Sequence, residues 1–487
     1  MRSPALVFDI GSSSAKGAII AAGEILQSAA ASYRTRFGDN GWAEQDAGDW
    51  WDAVVRICHD LQAPSDLAGI VLTGQMQDVI LLDKNAAPIR PVMLYSDTRA
   101  KTQIARIHQL ISPAELVTIT GFEQGAGSLL AKLRWLREND AASLERAAGL
   151  LFGAADYVGA CLTGALATDT TTASTTGLWD LRAGAMLDAE LLARLELAWL
   201  QPLLPTVVPG GTQVARLSEA AGAALGLPAG IPVYLGPGDA GSATIGAGCG
   251  EPGPAYAYIG TSGWVGFSAR EIGAAAAGVL TLAHPEPDRF IQVVPMMTSA
   301  GNLDWLQSIF SDRSHGEIID EALERPPGSL LFLPYLHGER APFDDPFARG
   351  AFIGISANMA KPDLWRALLE GIAFAYRHTL SALSPGPPDY LTLIGGGARN
   401  TALNQVFADI IAVPAHLPPD AENAGLYGAL RAAEVAAGLC DDYAIDMTSR
   451  SQILQPDSQH QAHYMRKYQH FLAAYQALKP LFQQLAK

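Results

Sequence analysis

The sequence predicts an α/β protein built from two similar lobes, and three observations lead to this prediction. Predicted strands alternate with predicted helices along the chain, which is typical of layered α/β domains. The 487 residues exceed the length at which one core stays compact. A glycine-rich stretch near the middle, "GPGDAGSATIGAGCGEPGP", can carry the chain from one lobe into the other. We therefore expect a first lobe over residues 1–243 and a second over residues 244–487.

The first lobe is expected to open with a β-hairpin. Strand-forming residues in "ALVFDI" and "AKGAII" flank a turn of glycine and serine. "DAGDWWDAVVRICHDL" then predicts a helix, because its acidic start suits the positive end of a helix dipole. "AGIVLTGQ" predicts a buried strand, and "GIPVYLGPGDAGSATIGAG" predicts a strand, a turn and a helix start.

The second lobe is predicted from internal similarity. A shift of 249 residues lays Ala5–Ala18 over Pro254–Phe267, so that "IGSSSAKG" faces "IGTSGWVG" and Gly17 faces Gly266. The later elements recur as well, as a strand in "FIQVVPM", a helix in "PDLWRALLEGIAFAYRHTL" and a strand in "YLTLIGGGARN". A repeat at half the chain length predicts two related lobes, with a cleft between them that is a natural ligand site.

The two matching hairpins differ at one position. Taken alone, "VFDIGSSSAKGAII" fits an ordinary hairpin with a polar tip, since short Gly/Ser patterns arise by chance. The alternative is a turn that holds phosphate, with Asp9 directed at a metal. Asp9 faces Tyr258 in the second copy, so only one hairpin carries a carboxylate. One carboxylate suffices for Mg²⁺, which completes its shell with waters and phosphate oxygens.

Other polar motifs follow predicted strands, and each has two readings. Asp239 in "GPGDAG" is either a helix N-cap or a general base for an alcohol that accepts a phosphoryl group. "GQMQD", residues 74–78, either projects side chains into the cleft or forms a simple loop. In "YSDTR", Asp97 and Arg99 can form a surface ion pair. "LIGGGARN", residues 393–400, suits close approach of a planar ligand or a phosphate, although glycine turns are common between strand and helix.

Composition excludes several classes of protein. The net charge of −16 and the lack of a basic block argue against nucleic-acid binding. The four cysteines form no C-x-x-C pair, which argues against a zinc site and a disulfide framework. No uncharged apolar run approaches the roughly 18 residues of a membrane span, and no signal peptide is evident. We expect a soluble protein located in the cytoplasm.

Taken together, these motifs resemble the FGGY family of carbohydrate kinases over nearly the whole chain. "DIGSSSAK" looks like the family's first phosphate loop, "IGTSG" like the second and "GGGARN" like its adenosine region. "GAFIGISANMAKPDLWRALLEG" is similar to the long C-terminal signature. The N-terminal signature resembles "GSLLAKLRWLREN", although Leu129 stands where a small hydroxyl residue or proline is usual.

The resemblance implies a fold and a set of site residues. The fold would be two ribonuclease-H-like domains of the actin and hexokinase type, with ATP and a sugar meeting in the cleft between the domains. Asp239 would be the catalytic base, and Asp9 would help to hold hydrated Mg²⁺ near the acceptor. Ser12, Ser13, Ser14 and Lys16 would line the ATP phosphates from the first hairpin, Gly260 and Thr261 from the second, while Gly396 and Asn400 would meet the nucleoside.

On the sugar side, the resemblance is to the branch of the family that phosphorylates xylulose. Met76 and Gln77 correspond to the pair that touches the sugar there, and Asp97, Asp9 and Asp239 would complete the substrate site. Gln77 stands where His is usual, and "SDT" stands in place of an Asn-Asp pair followed by a small residue. D-xylulose is therefore the first expected acceptor, with another ketopentose, a polyol or a sugar acid as alternatives. A non-catalytic actin-like nucleotide-binding protein is a further alternative, and a homodimer is expected by analogy.

Overall fold

The computed structural model describes residues 3–273, 278–310, 313–343, 345–381, 388–447 and 449–485. Two large mixed β-sheets form the centres of two lobes, and helices cover their faces. The predicted α/β class with two similar lobes is therefore confirmed. None of the helices in these described ranges is both long and apolar enough to cross a bilayer.

The first lobe contains a six-stranded sheet and a smaller five-stranded sheet. Its strands are β1 (Ala5–Ile10), β2 (Ser14–Ala21), β3 (Glu24–Ser32), β4 (Arg36–Gly38), β5 (Trp42–Gln45), β6 (Gly69–Gly74), β7 (Met76–Leu82), β8 (Val92–Met93), β9 (Gly149–Gly153), β10 (Ala167–Asp169), β11 (Trp179–Asp180), β12 (Ala185–Met186), β13 (Thr206–Val208), β14 (Thr212–Arg216) and β15 (Pro232–Leu235). Its helices are α1 (Ala47–Asp60), α2 (Lys101–Leu110), α3 (Pro113–Thr120), α4 (Leu129–Asn139), α5 (Ala141–Arg146), α6 (Ala154–Thr163), α7 (Thr170–Ser174), α8 (Ala189–Arg194), α9 (Glu219–Leu225) and α10 (Asp239–Thr244), the last continued by a π-helical turn at Ile245–Cys249.

The second lobe is built around a seven-stranded sheet. Its strands are β16 (Ala255–Ile259), β17 (Gly263–Ala269), β18 (Leu280–Ala283), β19 (Phe290–Met296), β20 (Leu331–Leu333), β21 (Ala351–Ile353), β22 (Leu391–Ile394), β23 (Ala415–Leu417) and β24 (Gln452–Leu454). Its helices are α11 (Gly301–Phe310), α12 (His315–Leu323), α13 (Lys361–Leu380), α14 (Thr401–Ile411), α15 (Ala424–Ala436) and α16 (Ser458–Leu485).

The same strand order occurs at the centre of both sheets. It runs β3-β2-β1-β6-β15 in the first lobe and β19-β17-β16-β22-β23 in the second. In each, three antiparallel strands are followed by two strands that are parallel to the first strand of the hairpin. The central parallel strands are buried on both faces, which explains their continuous apolar sequences. The lobes therefore share a topology as well as a hairpin motif.

The structure corrects the ungapped alignment of the two hairpins. Gly17 pairs with Phe8, whereas Ala257, the counterpart of Phe8, pairs with Val265. The counterpart of Gly17 is therefore Val265 and not Gly266. The second turn is one residue shorter than the first, and such a change shifts the whole returning strand by one position.

Two helices tie the lobes together by packing on the opposite sheet. Helix α15, which follows the second sheet, packs Leu426 and Ala429 against Val7 and its neighbours in the first sheet. Helix α10 and its π-helical turn, which follow the first sheet, contact the second. The two helices cross where Gly246 and Gly428 meet, because a Cβ on either glycine would clash with backbone oxygen of the other helix segment. The predicted boundary between residues 243 and 244 falls inside α10.

Candidate active site

The turn of the first hairpin lies at the cleft with its carbonyl groups held from behind. The Tyr33 hydroxyl donates to the carbonyl oxygen of Gly11, and the Tyr33 N–H donates to that of Ser13 at 3.1 Å. Gln45 Nε2 donates to the carbonyl oxygen of Ser12 at 2.6 Å. Ser12 and Ser13 are exposed. With its carbonyl oxygens occupied on one side, the turn can present amides and hydroxyls to an anion on the other.

The turn of the second hairpin is held in a similar orientation by backbone alone. The carbonyl oxygen of Gly260 accepts from the N–H of Ala300 at 2.8 Å. That of Thr261 accepts from the N–H groups of Ser299 at 2.9 Å and Gly301 at 3.1 Å. Ser299 and Ala300 directly precede α11 and Gly301 begins it, so the path of the chain into this helix fixes the turn. Thr261 is exposed on the cleft side.

Asp9 lies at the end of β1 beside the first turn. Its hairpin partner is Lys16, whose Nζ donates to the carbonyl oxygen of Glu422 in the second lobe at 3.1 Å. Burial raises the pKa of Asp9, and the charge of Lys16 opposes this shift. No donor among the described residues makes a hydrogen bond to the Asp9 carboxylate, and Gly425 at the start of α15 leaves space beside it. A partly buried carboxylate without a donor fits the place of a cation ligand.

Asp239 begins α10 where the first lobe ends. The N-cap of this helix is Gly238 and carries no side-chain cap, so Asp239 does not fill the N-cap position. Burial raises the pKa of Asp239 to about 7, and the charges of Asp9 and Asp169 add to the shift. A carboxyl group with this pKa is well suited to accept a proton near neutral pH. The shift also shows that Asp239 and Asp9 lie close enough to influence each other.

Met76 and Gln77, the predicted sugar contacts, stand at the start of β7 next to the Asp239 loop. Gln77 has a left-handed backbone (φ 66°), and its Nε2 donates to the carbonyl oxygen of Thr175 at 2.9 Å. Met76 contacts the loop so closely that a Cβ on Gly238 would clash with its sulfur. Both side chains are partly exposed, which leaves them available to a ligand in the cleft.

A buried acid–base pair lies behind Met76 and Gln77, the two residues that we call the sugar wall. Lys132 Nζ donates to the carbonyl oxygens of Gln77 at 3.2 Å and Leu94 at 2.5 Å, and Asp78 Oδ1 accepts from the Tyr95 N–H at 3.0 Å. Burial raises the pKa of Asp78 and lowers that of Lys132 to about 8. The pair joins the segment that carries Gln77 to the segment that carries Tyr95.

Asp97 lies deeper than the sequence indicates. Both of its oxygens accept from the Arg99 side chain, and Oδ2 also accepts from the Ala43 N–H at 2.8 Å. Arg99 pairs with Glu44 as well, at 2.6 Å, and stacks on the exposed ring of Trp42. The pair is thus buried and not on the surface. A direct sugar contact by Asp97 would require this pair to open.

The remaining predicted nucleotide residues lie in the second lobe. Gly396 starts a short helical turn after β22, and Asn400 caps α14 by accepting from the Leu403 N–H through Oδ1 at 2.9 Å. The loop that contains Glu422 connects this turn to the first hairpin, since Arg399 pairs with the Glu422 side chain at 2.9 Å. Gly396, Asn400 and Thr261 thus belong to one lobe, whereas Ser12 to Lys16 belong to the other.

Several residues of the site were not singled out from the sequence. Tyr95 is 41 % exposed, but burial of its hydroxyl raises its pKa, and the charges of Asp239 and Asp78 add to the shift. Tyr258 stacks on Trp264 with ring centroids 3.9 Å apart, and burial raises its pKa to about 12, with Asp9 and Asp239 contributing. The alignment of Tyr258 with Asp9 in the sequence repeat pointed to this residue. Its position near the carboxylates of Asp9 and Asp239, however, depends on how the two lobes pack together.

Comparison with known proteins identifies the family. The N-terminal domain of the FGGY family of carbohydrate kinases matches residues 5–246, and the C-terminal domain of the same family matches residues 255–437. The chain is similar to a xylulose kinase of Klebsiella pneumoniae, with 29 % identity over 97 % of this chain and 99 % of the relative.

Two further relatives show how the similarity extends. An L-xylulose/3-keto-L-gulonate kinase of Escherichia coli is 30 % identical over 90 % of each chain. The crystal structure of a xylulose kinase from Rhodospirillum rubrum superposes with a TM-score of 0.85, at 27 % identity, and covers 99 % of this chain and all of that chain. The similarity therefore spans both lobes in sequence and in structure.

Proposed function

This chain belongs to the FGGY family of carbohydrate kinases, and we propose that it transfers the γ-phosphate of ATP to a ketopentose, with D-xylulose as the first candidate and D-xylulose 5-phosphate as its product. The observation that carries the proposal is the position of Asp239. This carboxyl group has a pKa of about 7 and lies at the junction of the lobes, next to Asp9 and the sugar wall. Xylulose kinases among the relatives support the choice of sugar.

In the proposed reaction, Asp239 accepts the proton of the sugar hydroxyl as that oxygen attacks the γ-phosphorus. The new P–O bond forms while the bond to the β-phosphate oxygen breaks, and ADP leaves. The two hairpin turns hold the phosphates from opposite lobes and stabilise the charge on the transferring group. Ser12, Ser13, Ser14 and Lys16 act from one side, Gly260 and Thr261 from the other, and Gly396 and Asn400 position the nucleoside.

Asp9 is the residue that would hold a hydrated magnesium ion. Bound there, Mg²⁺ would neutralise charge on the phosphate oxygens. Asp9 would hold this ion from the first lobe, while Lys16 Nζ donates to the Glu422 carbonyl oxygen in the second lobe. Closure of the lobes around both substrates would exclude water and limit idle hydrolysis of ATP.

The charges behind the sugar wall favour an uncharged acceptor. Lys132 and Arg99, two cations on that side, are engaged by backbone carbonyls and by carboxylates. Neither cation is free to balance the carboxylate of a sugar acid, whose charge would also repel the deprotonated form of Asp239 that acts as the base. Ketopentoses and polyols therefore rank above sugar acids as acceptors. A cytoplasmic location, where ATP is available, fits this activity, and the homodimer stays a prediction that sedimentation can test.

A coupled assay of ADP release tests the proposal directly. The purified protein would be offered D-xylulose, L-xylulose, D-ribulose, a pentitol and gluconate, each with Mg-ATP. We expect D-xylulose to give the highest kcat/KM and gluconate the lowest. If another acceptor gives a higher kcat/KM, that acceptor replaces D-xylulose as the proposed substrate. The absence of any sugar-dependent ADP release would favour the non-catalytic alternative.

A further inference from the structure

Asp169 is a buried carboxylate of the first lobe that none of the steps above uses. It ends β10, far from Asp239 in the chain, and is only 1 % exposed. Its Oδ1 accepts from the Thr172 N–H at 3.0 Å, and its Oδ2 accepts from the Thr172 hydroxyl. The same Oδ2 also accepts from the N–H of Gly238 at 3.3 Å. Asp169 therefore reaches the residue that precedes the proposed base.

Gly238 packs tightly against residues of the first lobe. A Cβ at this position would clash with the Met76 sulfur and would lie 2.9 Å from the Thr172 hydroxyl. Its N–H is the group that Asp169 binds. The peptide between Pro237 and Gly238, to which this N–H belongs, is therefore held in place, and Gly238 in turn sets the start of α10 and the direction of Asp239.

Asp169 also acts on Asp239 electrostatically, because its charge raises the pKa of the base. Burial chiefly raises the pKa of Asp239, and the charges of Asp9 and then Asp169 add to the shift. Tyr95, Tyr258 and Asp78 also interact with Asp239, so Asp169 is one charge among several. Among these groups, Asp169 is the one with a hydrogen bond to the Asp239 loop.

We propose that Asp169 is a positioning residue for the base: its carboxylate fixes the Pro237–Gly238 peptide, holds Gly238 against Met76 and Thr172, and thereby directs Asp239 at the acceptor hydroxyl. This inference rests on the proposed function of Asp239. The catalytic group remains Asp239, because Asp169 is buried behind the loop and acts through it.

Asp169→Asn tests the proposal, because it preserves volume but leaves one acceptor oxygen where two are used. We expect kcat to fall about 10- to 100-fold, as for a misplaced catalytic group, while KM for ATP and for the sugar changes less than about threefold. Asp156→Asn is the matched control. Asp156 is equally buried and its charge interacts with that of Asp169, but its Oδ2 accepts from the Phe152 N–H at 3.1 Å and not from Gly238. The control therefore changes the local charge without removing the hydrogen bond to the loop. Its variant should keep kcat within about twofold, whatever its effect on melting temperature.

A second measurement does not depend on turnover. Crystal structures of both variants should show the Pro237–Gly238 peptide and the following Asp239 displaced in Asp169→Asn and unchanged in Asp156→Asn. An undisplaced peptide, an unchanged kcat in Asp169→Asn, or equal losses of kcat in both variants would overturn the positioning role. Failure of the proposed function would look different, since the unsubstituted protein would then release no ADP with any acceptor while the peptide still moved in Asp169→Asn.

Discussion

The two hairpin turns face the same cleft but are held in place by different means. Side chains of Tyr33 and Gln45 bind the carbonyl oxygens of the first turn, whereas backbone N–H groups of residues 299–301 bind those of the second. The first turn can therefore be loosened by a substitution far from it in sequence. The second depends on the path of the chain into α11, which Asn302 and Tyr376 hold through hydrogen bonds to Ser299.

The two hairpins also differ at the position next to the turn. Asp9 and Lys16 form a charged cross-strand pair in the first hairpin, and Tyr258 and Trp264 form a stacked aromatic pair in the second. One topology thus carries a group suited to a cation in one lobe and a packed platform in the other. The shared topology places one turn in each lobe, and the residues next to the two turns differ in the ligands that they suit.

Replacing Asp239, the proposed base, should have the largest effect on turnover. We expect Asp239→Asn to lower kcat about 1,000-fold, within the range for loss of a general base, with ADP affinity measured by calorimetry nearly unchanged. Because burial raises the pKa of Asp239 from 3.8 to about 7, the free energy of unfolding that depends on this group falls as pH rises from about 4 to about 7 and is level above that. The variant should therefore melt at a higher temperature than the unsubstituted protein at pH 8, with little difference at pH 4. Near-normal turnover would refute the assignment.

The next largest effect should come from Asp9, and substitution of Tyr258 at the equivalent position of the second hairpin is the comparison. Asp9→Asn should lower kcat about 100-fold and raise the Mg²⁺ concentration needed for half-maximal rate, since a carboxylate ligand is lost. Tyr258→Phe removes only a hydroxyl from the stacked pair and should change this Mg²⁺ dependence less than about twofold. Equal effects on the Mg²⁺ dependence would show that the hairpins are not specialised in this way.

The pH dependence should follow the base that lies between the hairpins. Asp239 must be deprotonated to accept a proton, so kcat should fall about tenfold per pH unit below a pKa near 7 and level off above it. Rates in buffers from pH 5 to 9, with ATP and sugar saturating, measure this limb. A rate independent of pH between 5 and 7 would contradict it.

A smaller effect should follow from loosening the first turn alone. Gln45 Nε2 supports Ser12, and its Oε1 accepts from Trp50 Nε1 at 2.9 Å and Gln75 Nε2 at 3.0 Å. We expect Gln45→Ala to raise KM for ATP about fivefold, which corresponds to about 1 kcal/mol for one lost hydrogen bond. Gln103→Ala is the control, because this buried glutamine of the same lobe bonds to Glu138 and not to the turn. A similar rise of KM in both variants would indicate general loss of stability.

The sequence predicted the parts of the site that depend on local pattern. The hairpins, the strand before "GGGARN" and the junction at Asp239 are signalled by short runs of residues and by their repetition, and the structure has all of them. The one-residue difference between the turns escaped prediction because an ungapped alignment cannot show it. Family resemblance proposed Asp97 as a sugar contact, but spacing alone does not reveal that Arg99 and the Ala43 N–H occupy its oxygens.

The residues that support the site could not be predicted from the sequence, because their partners are distant in the chain. Gln45 binds a turn 33 positions earlier, and Asp169 binds a residue 69 positions later. Such contacts are set by how sheets and helices pack, and no single sequence displays their partners. Supporting residues are thus harder to predict than the motifs that they support.

The crossed helices α10 and α15 have a consequence for dissecting the molecule. Each sheet has part of one face covered by a helix that the chain supplies from the other lobe. A fragment that ends between the lobes would therefore expose the apolar face formed by Val7, Val71 and Tyr234, which α15 covers in the whole chain. We expect separately produced halves to aggregate, whereas halves produced together should recombine into one particle. The two lobes are repeats in topology, but we expect them to fold as a single unit.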